Sequence, residues 1–196
     1  MSQVQLNALS IPAGYASAEV ASFAAQMDDQ LRRQHEATRT LTPEDLAWQP
    51  ARGMNTIGML MAHQAIVELW WTGLILEDRQ PAEVDAKIQA ILGIGGDDDG
   101  MPIAEDAAAP DGLSGKSVAF YDDLLARARA HFKSVAAGIR DDDLTRRLQR
   151  TRPNGQVREC EVRWTIYHIH EHFAGHFGQI LLLQHARRAL GAPVSR

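Results

Sequence analysis

Between Ile57 and Leu76 the chain is apolar almost without interruption, and the exceptions, His63, Gln64, Glu68 and Thr72, decide what the stretch can be. It approaches membrane-spanning length, yet ionisable groups at bilayer depth are costly and no basic residues bracket it. The run is expected to form a buried helix of a soluble helical protein. Such a helix meets neighbours on several faces and so is apolar nearly all round.

Three further stretches have helical periodicity. Val20, Phe23, Met27, Leu31 and Gln34 recur at three- and four-residue spacing within a first helix over roughly residues 14–40. The apolar second helix starts near Asn55 or Thr56 and is expected to reach about Asp78. Val118, Tyr121, Leu125, Ala128, Phe132, Val135 and Ile139 form the stripe of a third, and a fourth runs from about Glu161 to Leu190 and stops at Gly191. Thr42-Pro43-Glu44-Asp45 is a helix-start signature: a capping hydroxyl, proline in the first turn, then acids that complement the dipole. Pro50 and Gly53 limit it to a short turn. A short amphipathic piece covers roughly 81–92. Residues 93–112, GIGGDDDGMPIAEDAAAPDG, offer no burial pattern, so a mobile or loosely packed loop is expected there. Asn154-Gly155 favours a tight hairpin turn between Leu144 to Gln149 and Gln156 to Cys160. With no strand–helix alternation and no internal repeat, the expected fold is all-α: an antiparallel four-helix bundle with a long loop between helices two and three and a short hairpin before the last helix.

The 196 residues, 45% hydrophobic and 23% charged, suit one soluble domain spanning 1–196, with an ordered core over roughly 15–190 and no need of disulfide support. The single cysteine, Cys160, excludes a disulfide framework and any all-cysteine metal site, and fits a reducing, cytoplasmic setting. A net charge of -5 leaves no basic excess for DNA or RNA, so nucleic acid is not an expected partner. The opening MSQVQLNALSIPAG has neither a basic n-region nor a long apolar h-region, so no secretion signal is expected.

Five of the eight histidines, His168, His170, His172, His176 and His185, fall within 18 residues. At about 100° per residue, His168, His172 and His176 lie within an arc of about 80°, with room for an ion between imidazoles one turn apart. His170 points to the opposite side. Taken singly, a helical histidine is more often a surface or hydrogen-bonded core residue than a ligand. Here, however, Ile169, Phe173, Phe177 and Ile180 flank the stripe, and helix two offers His63 in an apolar setting where an unpartnered imidazole is costly. Three neutral imidazoles from two packed helices would satisfy one another through a divalent cation and leave a coordination position open.

Other motifs fail on inspection. His170-Glu171 opens a zincin pattern whose second histidine position is Ala174. His168-x-x-Glu171-His172 matches the inverted zinc-protease pattern, but only 24 residues follow in which to find the further acidic ligand. There is no pair of Glu-x-x-His motifs for a di-iron site. Gly115-Lys116-Ser117 resembles the end of a phosphate loop, yet Pro110 holds the first glycine position and no strand precedes it; Ser114 or Ser117 is better read as a cap of helix three. Cys160 is expected to be simply buried, Asp97-Asp98-Asp99 to be solvated, and His35 and His131 to be ordinary polar residues on the bundle. Trp70, Trp71 and Trp164 are core aromatics or the wall of a pocket.

Two segments carry a resemblance. Trp48-Gln49-Pro50, followed by Asn55-Thr56-Ile57-Gly58-Met59-Leu60-Met61-Ala62-His63 and Trp70-Trp71, resembles the helix-two histidine segment of the DinB-like superfamily, which includes YfiT-type proteins and bacillithiol or mycothiol transferases. The stretch from Trp164 through His172 and His176 to Gln179 resembles that family's final-helix His-x-x-x-His-x-Gly-Gln pattern. The resemblance implies a four-helix bundle with a divalent metal, zinc or nickel, on His63, His172 and His176, and His168 one turn away as a pocket residue or fourth ligand. It implies an enzyme that activates a low-molecular-weight thiol or water, S-transferase-like or hydrolase-like, on a small-molecule substrate. No catalytic side chain is assigned by it; Glu171, Glu68 and Tyr167 are the candidates for orienting a ligand or moving a proton. A non-catalytic metal-binding or stress-associated structural protein is the alternative. A homodimer paired through apolar helix faces is expected, with no membrane partner.

Overall fold

The structure, a computed structural model, describes residues 8–151 and 155–190. Six α-helices and a two-stranded sheet follow in the order α1 (Ala18–Thr38), α2 (Pro43–Ala47), α3 (Ile57–Trp71), α4 (Pro81–Leu92), α5 (Val118–Ala136), β1 (Arg147–Thr151), β2 (Val157–Glu161) and α6 (Val162–Ala189). The fold is mostly helical, as expected. Helix α3 lies between α5 and α6, and α1 covers the other side of α5 and α6. The most apolar window of Ile57–Leu76 is 83% buried within the molecule, which fits a core helix.

Local chemistry explains where the elements start and stop. The Ser17, Thr42 and Thr56 hydroxyls accept the backbone N–H of Val20, Asp45 and Met59. At α2 the Asp45 carboxylate also accepts the Thr42 N–H, completing a reciprocal cap in front of Pro43. Ser117 stands at the cap position of α5 but makes no side-chain capping bond. The apolar helix does not stay α-helical to Asp78: it opens into one π-helical turn over Thr72–Leu76. The Thr72 hydroxyl donates to the Glu68 carbonyl at 2.6 Å, and Gly73 brings the turn so close to Val84 that a Cβ there would lie 2.9 Å from a Val84 methyl. The third helix ends at Ala136, before Ile139, which is nevertheless buried.

The hairpin pairs Leu148 with Cys160 and Arg150 with Arg158, and both Leu148 and Cys160 are buried. Of the expected turn, Gly155 has φ 80°, while Asn154 lies outside the described residues, as does Gly191. Residues 93–112 show no periodic burial, but several contacts tie them to the body. Met101, Ile103 and Ala109 pack on the core, and the Ala107 carbonyl accepts from the Gly53 N–H (2.9 Å) and from Gln49 Nε2 (3.1 Å).

The polar side chains of the apolar helix are each met. Gln64 and Gln34 exchange amide hydrogen bonds of 2.8 and 2.9 Å, and Gln64 Nε2 also donates to the Phe173 carbonyl at 3.0 Å, joining α1, α3 and α6. Glu68 receives Arg129 bidentately, Nε to Oε1 at 2.7 Å and Nη2 to Oε2 at 3.0 Å, with side chains only 2% and 4% exposed. Breaking one side of such a buried pair strands a charge, whereas replacing both by apolar groups need not. Arg129→Met should therefore cost about 3–5 kcal/mol. The double variant Glu68→Leu/Arg129→Met should recover most of that loss, as read by chemical denaturation.

Candidate metal centre

His63 projects from α3, and His172 and His176 from α6, one turn apart. The three rings converge: His63 lies 5.1 Å from His172 and 5.0 Å from His176 between centroids, and the α6 pair are 4.3 Å apart. One nitrogen from each falls within 4.8 Å of the others. The shortest approach, His172 Nε2 to His176 Nε2, is 3.1 Å. Nitrogens on a tetrahedral divalent ion, each about 2.0–2.1 Å from it, sit at comparable separations. Donor type, number and spacing therefore suit a divalent cation.

The outward nitrogens are committed elsewhere. His63 Nδ1–H donates to Asp99 Oδ2 at 2.7 Å, and His176 Nδ1–H donates to Gln179 Oε1 at 2.7 Å. These partners select the tautomer that leaves Nε2 of each ring as a bare lone pair. Asp99 overturns the expectation that 97–99 is simply a solvated acidic run. Its side chain is 2% exposed, and its other oxygen accepts the Met101 N–H at 2.8 Å. The loop thus reaches the site and orients a ring of α3. Its acids were visible in the sequence, but no spacing rule links a loop carboxylate to an imidazole 36 residues earlier.

The remaining candidates fall into place around the trio. His168 is not a member; it stacks on Trp164 at 4.7 Å, meets Trp71 edge-on at 5.1 Å, and holds Glu171 through Nδ1 at 2.9 Å. The two tryptophans thus wall the side of the site nearest the hairpin, and Trp70 lines a cavity of about 590 Å³ beside His63 and Asp99. Glu68 is removed as a proton carrier, because both its oxygens are taken by Arg129. Glu171 is tied to His168, and Tyr167 is exposed. His170 faces away from the trio, and His185 is exposed. His35 pairs with Asp122, His131 with Glu77, and Cys160 is buried, as expected of them.

Burial, reinforced by the neighbouring rings of His176, His63 and His168, pushes the His172 imidazole down to about 3, and burial also lowers His176. Both rings are thus kept in the neutral form that a metal needs.

A family model described as mycothiol-S-transferase matches residues 22–188. The chain belongs to that family. The mycothiol-S-transferases are a DinB-like family, so the resemblance read from the two histidine segments holds. This family member also aligns with a solved structure, a conserved protein from Enterococcus faecalis, at 16% identity and a TM-score of 0.60, over 87% of this chain and 96% of that one. At that identity the likeness concerns the fold alone. No curated protein matches the chain.

The lowered imidazoles set a pH dependence. Below pH 6.5 the unfolded chain binds protons on His172 and His176 that the folded chain refuses, so the stability of metal-free protein is complete above 6.5 and falls as the pH drops from there towards about 3. Denaturation midpoints of chelator-treated protein should show this slope, and His172→Gln should flatten it.

Proposed function

We propose that this chain is a metal-dependent thiol S-transferase whose divalent ion, zinc or nickel, is held by His63, His172 and His176. The observation that carries the reading is the convergence of three imidazole nitrogens from α3 and α6 within 4.8 Å. The family's mycothiol-S-transferase description supports a small-molecule thiol as co-substrate. When bound, a divalent ion at three neutral ligands supplies the positive charge that brings a thiol's acidity towards neutral pH.

The chain's own residues do the rest. Asp99 and Gln179 hold the rings of His63 and His176 in the tautomer that offers Nε2 inward. His168 adjoins His172 at 5.8 Å and keeps Nδ1–H on Glu171, which leaves Nε2 as the basic atom to take the thiol proton. The thiolate sulfur then forms a bond to an electrophilic carbon, and the bond to the leaving group, or of a strained ring, breaks with its electron pair. The proton on His168 is available to that leaving atom. Trp71 and Trp164 exclude water from this side of His168.

We read the four long helices α1, α3, α5 and α6 as one antiparallel bundle and the chain as a single domain. A reducing, cytoplasmic setting suits a chain whose single cysteine is buried, and pairing of two copies through apolar helix faces remains part of the proposal.

Elemental analysis should find near-stoichiometric divalent metal in the native protein and its loss on alanine replacement of His63, His172 or His176; metal retained in all three variants overturns the assignment. Asp99→Asn keeps shape but weakens ring orientation, and should lower metal affinity by about 10–100-fold in a chelator competition. His168→Gln should keep the metal and lose thiol transfer, whereas a purely structural metal protein would show no turnover to lose.

A further inference from the structure

Beyond the trio, the α6 stripe continues one way to a cation that the proposed chemistry does not use. Trp164, His168, His172 and His176 follow one another at four-residue spacing. Past Trp164 lies Arg158 on β2, its guanidinium carbon 5.0 Å from the ring centroid of Trp164 and 5.0 Å from that of Trp71. The two indoles meet at 80°, so the guanidinium is cradled on two aromatic faces. Cation–aromatic contact of this kind restrains the group and does not consume its N–H donors, the part that forks onto an oxyanion.

Among the described residues no acid fills that role. Every aspartate and glutamate lies among the described residues, and none pairs with Arg158. The neighbouring acids are held by other cations. Glu159 and Glu161 follow Arg158 on β2 and border the same cavity, but both are engaged: Arg147 meets them at 3.7 and 3.8 Å, and Arg163 also meets Glu161 at 3.5 Å. Across the hairpin, Arg150 is occupied by Asp78 and by the Leu74 carbonyl. Arg158 borders that cavity of about 380 Å³ with Trp164, Arg147 and the two paired glutamates, so a ligand can reach its guanidinium. A partly buried cation without a counter-ion among the described residues, held against two aromatic rings, is a recognition element for a planar anion.

We infer that Arg158 binds a carboxylate on the molecule that occupies the thiol-transfer site, so that the substrate class is acidic. The inference rests on the metal–thiol reading for its other end. From Arg158 to Trp164, to His168 and to His172 the steps are 5.0, 4.7 and 5.8 Å, and Trp164 and His172 are about 12 Å apart along the helix axis. The carboxylate must therefore stand well away from the reacting sulfur or carbon, on an extended arm. It is carried either by the thiol or by the electrophile.

Cobalt-loaded protein and a series of ω-mercaptoalkanoates, from mercaptopropionate through mercaptohexanoate to mercaptoundecanoate, test the thiol source, with the corresponding mercaptoalcohols as uncharged controls. Thiolate-to-cobalt charge-transfer absorption reads binding. The carboxylate should improve affinity about tenfold or more over the alcohol only in the longer members. Arg158→Gln should abolish that preference while leaving cobalt content and alcohol affinity unchanged, and Arg158→Lys should recover part of it. Octanoate against octanol, titrated by calorimetry with and without mercaptoethanol, tests the electrophile source, and there the preference should again vanish in Arg158→Gln. If neither arm shows a carboxylate preference that depends on Arg158, the inference is overturned. If mercaptoethanol gives no charge-transfer band in the wild-type protein, the metal–thiol reading fails instead, and the octanoate arm still decides the role of Arg158.

Discussion

The packing of α3 between α5 and α6 sets the terms for everything else, because it buries a helix that is not wholly apolar. Each polar group on it has to be met inside the protein, since leaving one unpaired costs more than a typical hydrogen bond returns. Gln64 is met by Gln34 and a backbone carbonyl of α6, and Glu68 by Arg129 of α5. These contacts fix the rotation and height of α3 against its neighbours. His63, one residue from Gln64 and five from Glu68, inherits that precision and is delivered beside His172 and His176. The same polar contacts that stabilise the core thus aim the candidate ligands.

Much of this was legible in the sequence, for a physical reason. The long helices and the short amphipathic α4 follow from a 3.6-residue period, and the short α2 from capping chemistry that is local by nature. The four-residue recurrence of His168, His172 and His176 is likewise a local fact. What the sequence left open is non-local. The choice of His63 as partner came from the cost of an unpartnered imidazole in an apolar setting, with the family resemblance in agreement, since periodicity alone cannot rotate α3 relative to α6. Asp99 and Arg158 were missed because each reaches its partners through a loop or a hairpin, where no helical period predicts direction. Glu68 was misjudged for a related reason. A buried carboxylate on a helix looks like a proton carrier until the opposing helix shows an arginine that takes both oxygens.

The loop between α4 and α5 shows how a segment without a burial pattern can still be structurally committed. Alternation or helical period signals burial of a whole face, but 93–112 buries isolated residues. Met101 and Ile103 touch the core one at a time, and Asp99 turns in alone to His63. Such a segment holds its position through a few side chains and backbone hydrogen bonds rather than through a continuous interface. Movement of this loop would therefore be coupled to the orientation of one ring of the candidate metal centre through a single hydrogen bond.

The site is consequently asymmetric along the α6 stripe. At one end Gln179 and Asp99 are spent on ring orientation and lie outside the trio. At the other, two tryptophans and His168 form a continuous aromatic wall that ends on a guanidinium with no acidic partner among the described residues. Aromatic walls carry little specificity by themselves, because any flat or apolar group can lie on them. A charge at the far end of the wall gives direction to whatever lies along it, and it does so without touching the reacting atoms. Distance between the reacting group and the anchoring group then discriminates among ligands by length as well as by charge. On the proposed reading, that division of labour would let one rigid helix pair perform the chemistry while the hairpin, a short element outside the bundle helices, selects the substrate.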